Sequence, residues 1–244
     1  MQRPLERYLV LRLASPLIAF GGEAIDNLGV IRDFPALSML TGLIANALGW
    51  DRSEAERHNR LQQRLRMGCV LAPGGQRVQD FQTAQLGKDD KVWTTWGVPE
   101  ERAGGAGTYA GPHLRYRDYH ADLRAWVAVA LHPAQEAPTL DVIAAALDQP
   151  VRPLFIGRKP CLPVGRLVDG WHTAADLRSA LQAIVTEKSA APTTGWRAQW
   201  PDGEGEQPGA RLLDICDERN WDSGMHGGWH PVRQGLLLPV ETNA

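Results

Sequence analysis

This chain of 244 residues has few cysteines, no long apolar run and almost no excess of either charge. Its three cysteines, Cys69, Cys161 and Cys216, are far apart and include no C-x-x-C pair. This usage argues against a zinc ribbon and a disulfide framework and is typical of a reducing cytosol, so we expect a cytoplasmic protein. No stretch approaches the roughly 20 apolar residues of a transmembrane helix, so we expect no membrane contact.

Charge gives no support for nucleic-acid binding when it is summed over the chain, because the net charge is −2. Its distribution is more informative, since residues 202–222 contain seven acids and only two arginines, which leaves the remainder mildly basic. A basic face outside this segment would attract an anionic partner, whereas the acidic run would repel RNA. We therefore expect residues 202–222 to lie away from any RNA-binding surface.

The pattern of apolar residues predicts an α+β protein. Tyr8–Ala14 is apolar on both faces of a strand, which is typical of a central strand. The expected elements are strands at 8–14, 67–72, 122–131 and 154–156, and helices at 34–49, 53–66 and 139–147, with Gly49, Ser53 and Thr139 at helix ends. This order is the split βαβ pattern of a ferredoxin-like fold with a large insertion between its inner strands.

The insertion at 84–114 is rich in glycine and contains Trp93, Trp96 and Tyr109 with few aliphatic residues. Long connections with so little core-forming capacity are usually functional or mobile. Aromatic and cationic residues beside glycines suit stacking on unpaired bases, although a protein-contact loop or a disordered lid has the same composition. We divide the chain into residues 1–168, which include this insertion, and residues 169–244, a smaller β-rich or ferredoxin-like unit.

The stretch from Arg152 to Leu167 combines an expected short strand with glycine, cations and prolines. Gly157 lets the backbone turn or approach a ligand where a Cβ would clash. Arg158 and Lys159 follow at the mouth of the strand, and Pro160 stiffens the next turn. The functional interpretation is a cradle for phosphates made of backbone and cations; a solvated basic turn is the alternative.

Four stretches resemble one known family in their order and spacing. They are L-R-L-A-S-P-L-I-A-F-G (11–21), R-D-F-P-A-L-S-M-L-T-G-L-I-A-N-A-L-G (32–49), D-F-Q-T-A (80–84) and F-I-G-R-K-P-C-L-P (155–163), with R-Y-R-D-Y (115–119) in support. They resemble the CasD family, the handle-binding subunit of the type I-E CRISPR surveillance complex, Cascade. The resemblance covers about residues 8–168 and is loose beyond them.

The resemblance implies a ferredoxin-like (RRM-like) RAMP fold with a protruding thumb at about residues 84–114. It also implies a non-catalytic subunit, without a cofactor, that holds the 5′ handle of the CRISPR RNA in antiviral defence. The implied partners are CRISPR RNA, the backbone subunits of Cascade, the large subunit that reads the protospacer-adjacent motif, and target DNA through the complex.

Single-stranded RNA is recognised by stacking on splayed bases and by phosphate contacts. The residues that the resemblance and this chemistry select as candidate RNA-binding residues are Arg32, Ser38, Gln82, Thr83, Arg115, Arg117, Gly157, Arg158 and Lys159. Ser38 is also placed to bind an anion with the first amides of its helix. At Gln82 relatives often carry histidine.

Three other functions use features of the same sequence. A metal-independent endoribonuclease that processes precursor CRISPR RNA would use Tyr119, His120 and Lys159, but neighbouring side chains of a strand point to opposite faces. A metal site would use His226 and His230 with Cys216, which is one ligand fewer than a structural zinc site. A protein-binding scaffold without RNA contact would use the nine tryptophans.

Overall fold

The computed structural model of the chain describes residues 3–22, 27–87, 90–93, 98–101, 111–191 and 193–240. The strands are β1 (Glu6–Ala14), β2 (Leu17–Ile18), β3 (Leu28–Gly29), β4 (Leu65–Leu71), β5 (Gln76–Ala84), β6 (Val92–Trp93), β7 (Pro99–Glu100), β8 (His113–Ala121), β9 (Arg124–Leu131), β10 (Val168–Ala174), β11 (Trp196–Pro201), β12 (Arg211–Cys216) and β13 (Trp229–Leu237). The helices are α1 (Leu37–Leu48), α2 (Ala55–Arg64), α3 (Leu140–Asp148) and α4 (Leu177–Lys188). Within the described ranges, no helix is long and apolar enough to cross a membrane.

The main sheet confirms the predicted α+β, ferredoxin-like class. Its order is β10-β1-β9-β4-β11-β13-β12, and every neighbouring pair is antiparallel. Two helices connect β1 to β4 and one helix connects β9 to β10, which is the split βαβ arrangement. The remaining strands, β11 to β13, extend the sheet beyond β4.

Strand β1 is central, as its sequence predicts. Leu9, Leu11 and Leu13 belong to the core cluster that contains α1, α2 and α3. Tyr8 and Val10 point into a second cluster, which contains α4 and the buried tryptophans of β11. Both faces of the sheet are therefore covered, because alternate side chains of one strand enter different cores.

The fourth strand of the ferredoxin-like unit lies later in the chain than predicted. Leu154–Ile156 forms no strand, and β10 takes this place in the sheet. The backbone N–H of Ile156 donates instead to the carbonyl of Cys161 at 2.8 Å across a short turn. Leu154 and Ile156 are buried and Phe155 is half-buried, so the pattern indicated burial of two of the three residues correctly and the backbone conformation wrongly.

Two of the three predicted helix ends are confirmed. Gly49 ends α1 in the left-handed region with φ of +79°. The Thr139 side chain accepts the N–H of Val142 at 3.5 Å, so it caps α3. The expected cap at Ser53 is wrong, because α2 begins at Ala55 after Glu54.

The insertion is anchored by a long antiparallel hairpin. Strands β5 and β8 pair from Gln76 and Ala121 to Ala84 and His113, and all nine residues of β5 are exposed. Strands β2 and β3 add to β8, so the hairpin base is joined to the body. Within the predicted thumb at 84–114 the structure describes the paired strands β6 and β7, and Trp96 and Tyr109 lie outside the described residues.

The C-terminal segment, residues 169–244, contributes to the same main sheet as residues 1–168. Strand β10 pairs with β1 at one edge, and β11 pairs with β4 on the other side. Helix α4 packs on the face opposite to α1. That each segment folds as a separate unit stays a prediction.

Candidate nucleic-acid interface

Residues 154–161, which we name the strap, lie against the segment that follows β1. The N–H of Ala19 donates to the carbonyl of Ile156 at 3.3 Å. At Gly157 φ is +88°, and a Cβ there would lie 1.7 Å from the carbonyl oxygen of Ala19. Gly157 therefore allows the protein's own backbone at Ala19 to approach closely. This contact fixes the position of Arg158 and Lys159, which follow in the chain.

The two cations of the strap have different surroundings. Arg158 donates to the carbonyl oxygens of Asp118 and Gly29, each at 2.7 Å, and its guanidinium lies 4.9 Å from the centre of the Tyr119 ring. Arg158 thus ties the strap to β8 and β3. Lys159 is exposed, and no described residue pairs with it. Among the strap cations, Lys159 is consequently the one presented to an external phosphate.

Strand β8 extends the positive charge of the strap along the hairpin. Arg115, Arg117 and Tyr119 are alternate residues of β8 and share one face. A Cβ built on Gly29 would lie 2.7 Å from Nη1 of Arg117 and 2.8 Å from Nη2 of Arg158, so the two guanidiniums lie side by side. We name Arg115, Arg117, Arg158 and Lys159 the basic row.

Gln82 and Thr83 lie on β5, the exposed strand that pairs with β8. Gln82 is paired with Arg115 in the ladder, and Thr83 with Leu114. The Gln82 amide donates to Asp80 at 2.6 Å, and the Arg115 guanidinium donates to the carbonyl of Leu114 at 3.1 Å. The hairpin register therefore brings Gln82 and Arg115, which are 33 residues apart in the chain, to one face, whereas Thr83 and Leu114 lie on the other face.

The first turn of α1 has no free amide for an anion, so this part of the Ser38 prediction is wrong. The N–H of Leu37 donates to the Asp217 carboxylate at 2.9 Å, and that of Ser38 donates to the Asp217 carbonyl at 3.1 Å. The next two amides donate to the carbonyl of Ala36. Ser38 is itself buried, and it shares with Gly157 a cleft of ≈ 260 Å³.

The acidic segment does not lie away from the candidate residues, contrary to expectation. Besides the contact between Asp217 and α1, the Arg32 guanidinium donates to the carbonyl of Cys216 at 2.6 Å. Asp217 is only 3% exposed, and its burial raises the pKa of the carboxyl. Arg32 therefore holds the end of β12 in place, and the acid nearest to α1 is enclosed by protein.

Tyr119 and His120 have separate environments, as strand alternation predicts. Tyr119 lies beneath Arg158, whereas Nε2 of His120 lies 2.8 Å from the carbonyl oxygen of Arg32. Burial lowers the pKa of His120, which favours the neutral imidazole. General acid–base cleavage requires both side chains near one scissile phosphate, and their contacts hold them apart.

The C-terminal histidines form other contacts. Nδ1 of His230 lies 3.5 Å from the Asp217 carboxylate, and Nδ1 of His226 lies 3.3 Å from the carbonyl of Glu218. In the part of the chain that the structure describes, no three His, Cys, Asp or Glu side chains are grouped to hold a metal ion.

The fold and the basic row together define an antiparallel, ferredoxin-like protein with a hairpin insertion and cations beside its base. Residues 8–233 match the family model described as CRISPR-associated protein (Cas_Cas5), so the chain belongs to this family. No curated protein matches the sequence.

Solved structures share the fold. A chain of a CRISPR RNA-guided surveillance complex superposes with a TM-score of 0.68 at 22% identity, over 95% of this chain and 90% of that one. A crystal structure of a Cas protein superposes with a TM-score of 0.57 at 21% identity, over 96% of this chain and 95% of that one.

Proposed function

We propose that this protein is the non-catalytic subunit of a type I-E CRISPR surveillance complex, Cascade, that binds the 5′ handle of the CRISPR RNA. The basic row carries the proposal, because it places four cations along β8 and the strap and leaves Lys159 without a partner among the described residues. Family membership and the shared fold support it. The type I-E assignment rests on the four sequence stretches that resemble the CasD family.

The partners follow from this role. The CRISPR RNA lies against the basic row and the exposed hairpin, while the backbone subunits and the large subunit contact the protein from outside. Target DNA is reached through the complex, which acts in the cytoplasm in antiviral defence. Exposed strand β5 offers side chains on both faces, so one face can meet RNA and the other a neighbouring subunit.

Phosphate contacts give binding a characteristic dependence on salt. Each phosphate neutralised on single-stranded RNA contributes a slope of about −0.7 to the plot of log affinity against log salt concentration. A scaffold without RNA contact, the alternative function, would not retain RNA at all. Binding of repeat-derived RNA across a salt series therefore separates the two functions.

The experiment compares the full-length protein with the double variant Arg117→Gln/Lys159→Gln. We expect the variant to bind repeat-derived RNA at least tenfold more weakly, with a slope shallower by about 1.4. Arg66→Gln is the matched control, because Arg66 is exposed on β4 at the end remote from the hairpin. Wild-type protein that binds a shuffled RNA equally well, or a double variant that binds normally, contradicts the proposal.

The non-catalytic part of the proposal has its own test. The alternative is a metal-independent endoribonuclease, and the separate environments of Tyr119 and His120 argue against it. We expect pure protein incubated with precursor repeat RNA, in the presence of a chelator, to leave the RNA intact. Discrete cleavage within the repeat would establish the endoribonuclease function instead.

A further inference from the structure

Two arginines meet beside the strap without a carboxylate partner. A Cβ built on Gly224 would lie 3.1 Å from an Nη atom of Arg219 and 3.9 Å from one of Arg52. In the described residues, neither arginine forms an ion pair, and Nε of Arg219 is buried without a hydrogen-bond partner. Burial and the neighbouring Arg52 lower the pKa of Arg219, so an anion placed between the two would relieve an unfavourable interaction.

Arg219 also lines a cleft next to the strap. Ser38 and Gly42 of α1 form one wall, Phe155 and Gly157 of the strap form another, and Arg219 and Trp221 form the third. The cleft has a volume of ≈ 260 Å³. This is below the range of about 300–1,000 Å³ of pockets for drug-sized ligands, so the cleft suits a smaller planar group such as one nucleobase.

Trp221 is held in a fixed orientation by helix α2. Its indole N–H donates to the side-chain oxygen of Gln62 at 3.2 Å, and its backbone N–H donates to Asn59 at 3.1 Å. The His58 ring lies 4.6 Å away, and a Cβ at Gly42 would lie 3.4 Å from the Trp221 ring. Because these contacts fix the Trp221 side chain, little of its conformational entropy is lost when a base stacks on it.

We propose that this cleft is a subsite for one nucleotide of single-stranded RNA. The base stacks on the aromatic wall of Trp221 and Phe155, and the adjoining phosphate binds Arg219 and Arg52. The inference rests on the proposed RNA-binding function and extends it, because Gly157 belongs both to the cleft and to the strap that carries Lys159.

The combination of groups favours a nucleotide over an acidic peptide. Both ligands would neutralise the two arginines, but only a nucleotide also supplies a flat ring for the aromatic wall. The Arg219 guanidinium lies 5.2 Å from the centre of the Trp221 ring. A nucleotide in the cleft can therefore stack its base on the aromatic wall and place its phosphate beside Arg219.

The test measures the affinity of the full-length protein for repeat-derived RNA and for a series of RNAs that each lack one base. Wild-type protein should lose affinity on the order of tenfold at one abasic position, since stacking of one base contributes about 1–3 kcal/mol. The variant Arg52→Gln/Arg219→Gln should bind the intact RNA on the order of tenfold more weakly, with a shallower salt slope. It should also lose most of its sensitivity to that abasic position, because the base is no longer held in the cleft.

Controls separate this inference from the proposed function. Arg211→Gln removes an exposed arginine from the same segment at the far end of β12 and should bind like wild type. If wild-type protein binds the RNA and the cleft variant matches it in affinity and abasic profile, the subsite is wrong while the proposed function stands. If wild-type protein does not bind, the proposed function itself fails.

Two further outcomes bear on the inference. Thermal unfolding should show the cleft variant folded, because Arg52 is exposed and neither guanidinium bonds to another described residue. Polyglutamate is the probe for an acidic partner. Binding of polyglutamate that depends on Arg52 and Arg219, together with an RNA affinity that no abasic position alters, would identify an acidic-peptide site and overturn the nucleotide subsite.

Discussion

The carboxylate of Asp217 accepts the backbone N–H of Leu37 at 2.9 Å across 180 residues of sequence. Helix α1 has no capping side chain of its own, because Ala36 occupies the N-cap position. Asp217 therefore supplies the missing cap from the C-terminal segment. This bond anchors the segment to α1 and sets the position of Arg219 and Trp221 at the cleft.

Replacing Asp217 should separate its hydrogen bond from its charge. Asp217→Ala leaves the buried Leu37 N–H without its acceptor, so the free energy of unfolding should fall by about 1–3 kcal/mol. Asp217→Asn keeps an oxygen that accepts the Leu37 N–H and should lose much less. Urea denaturation of both variants checks the expectation, and equal losses would show that the charge is what stabilises α1.

The stability difference between Asp217→Asn and the wild-type protein should depend on pH. Burial raises the pKa of Asp217 in the folded state, so folded protein binds this proton more tightly than unfolded protein does. Its contribution to stability is present below the ordinary aspartate pKa and is lost as the pH rises through the raised value. The free energy of unfolding of Asp217→Asn minus that of wild type should therefore increase with pH over this window. A difference that stays constant would contradict the raised pKa.

Gly157→Ala should destabilise the protein through the contact with Ala19. Alanine at positive φ costs about 1–2 kcal/mol, and the clash with the Ala19 carbonyl adds to this cost. Gly165→Ala is the matched control, since Gly165 has φ of +80° and a Cβ there would meet nothing within 4 Å. Thermal unfolding should show a larger loss for Gly157→Ala, and RNA affinity should fall only in that variant.

Substitution of Arg158 should lower the stability of the protein, whereas substitution of Lys159 should lower its affinity for RNA. Arg158→Met leaves the carbonyls of Asp118 and Gly29 without this donor, so it should lower the free energy of unfolding by about 1–3 kcal/mol. Lys159→Met should leave stability unchanged and reduce RNA affinity. Chemical denaturation and fluorescence anisotropy on both variants give the comparison; a stable Arg158→Met protein would exclude the structural role.

His120→Gln should alter packing but not RNA processing. Nε2 of His120 contacts the carbonyl of Arg32, and glutamine can retain a donor at this place. In a reconstituted system, the pattern of RNA products should match that of wild type. Loss of mature CRISPR RNA while the variant protein remains abundant would restore the nuclease hypothesis.

Shortening the hairpin should spare the body of the protein. A short turn that replaces residues 86–111 keeps the pair Ala84 and His113, where the β5–β8 ladder ends. Because residues 90–92 and 98–101 of the removed segment are exposed or half-buried, we expect a nearly unchanged free energy of unfolding but failed assembly with neighbouring subunits. An unfolded product would mean that the removed segment belongs to the core.

The sequence by itself determined the features that depend on neighbouring residues. Apolar residues on both faces of Tyr8–Ala14 predicted the central strand, and Gly49 and Thr139 marked helix ends through local hydrogen bonds and φ. The order of the first three strands and of the three predicted helices indicated the ferredoxin-like class, although the fourth strand was placed wrongly. Each of these signals acts within a few residues, so it is written in the local pattern.

Only the tertiary structure decided where the long-range partners lie. The apolar segment Leu154–Ile156 forms no strand, and Arg158 donates two hydrogen bonds to carbonyl groups of β8 and β3. The acidic composition of residues 202–222 predicted that this segment lies away from RNA. In the structure, however, Asp217 is buried and Arg219 lines the cleft. Net charge sums over a segment, whereas binding depends on which side chains the packing buries and which it leaves facing the ligand.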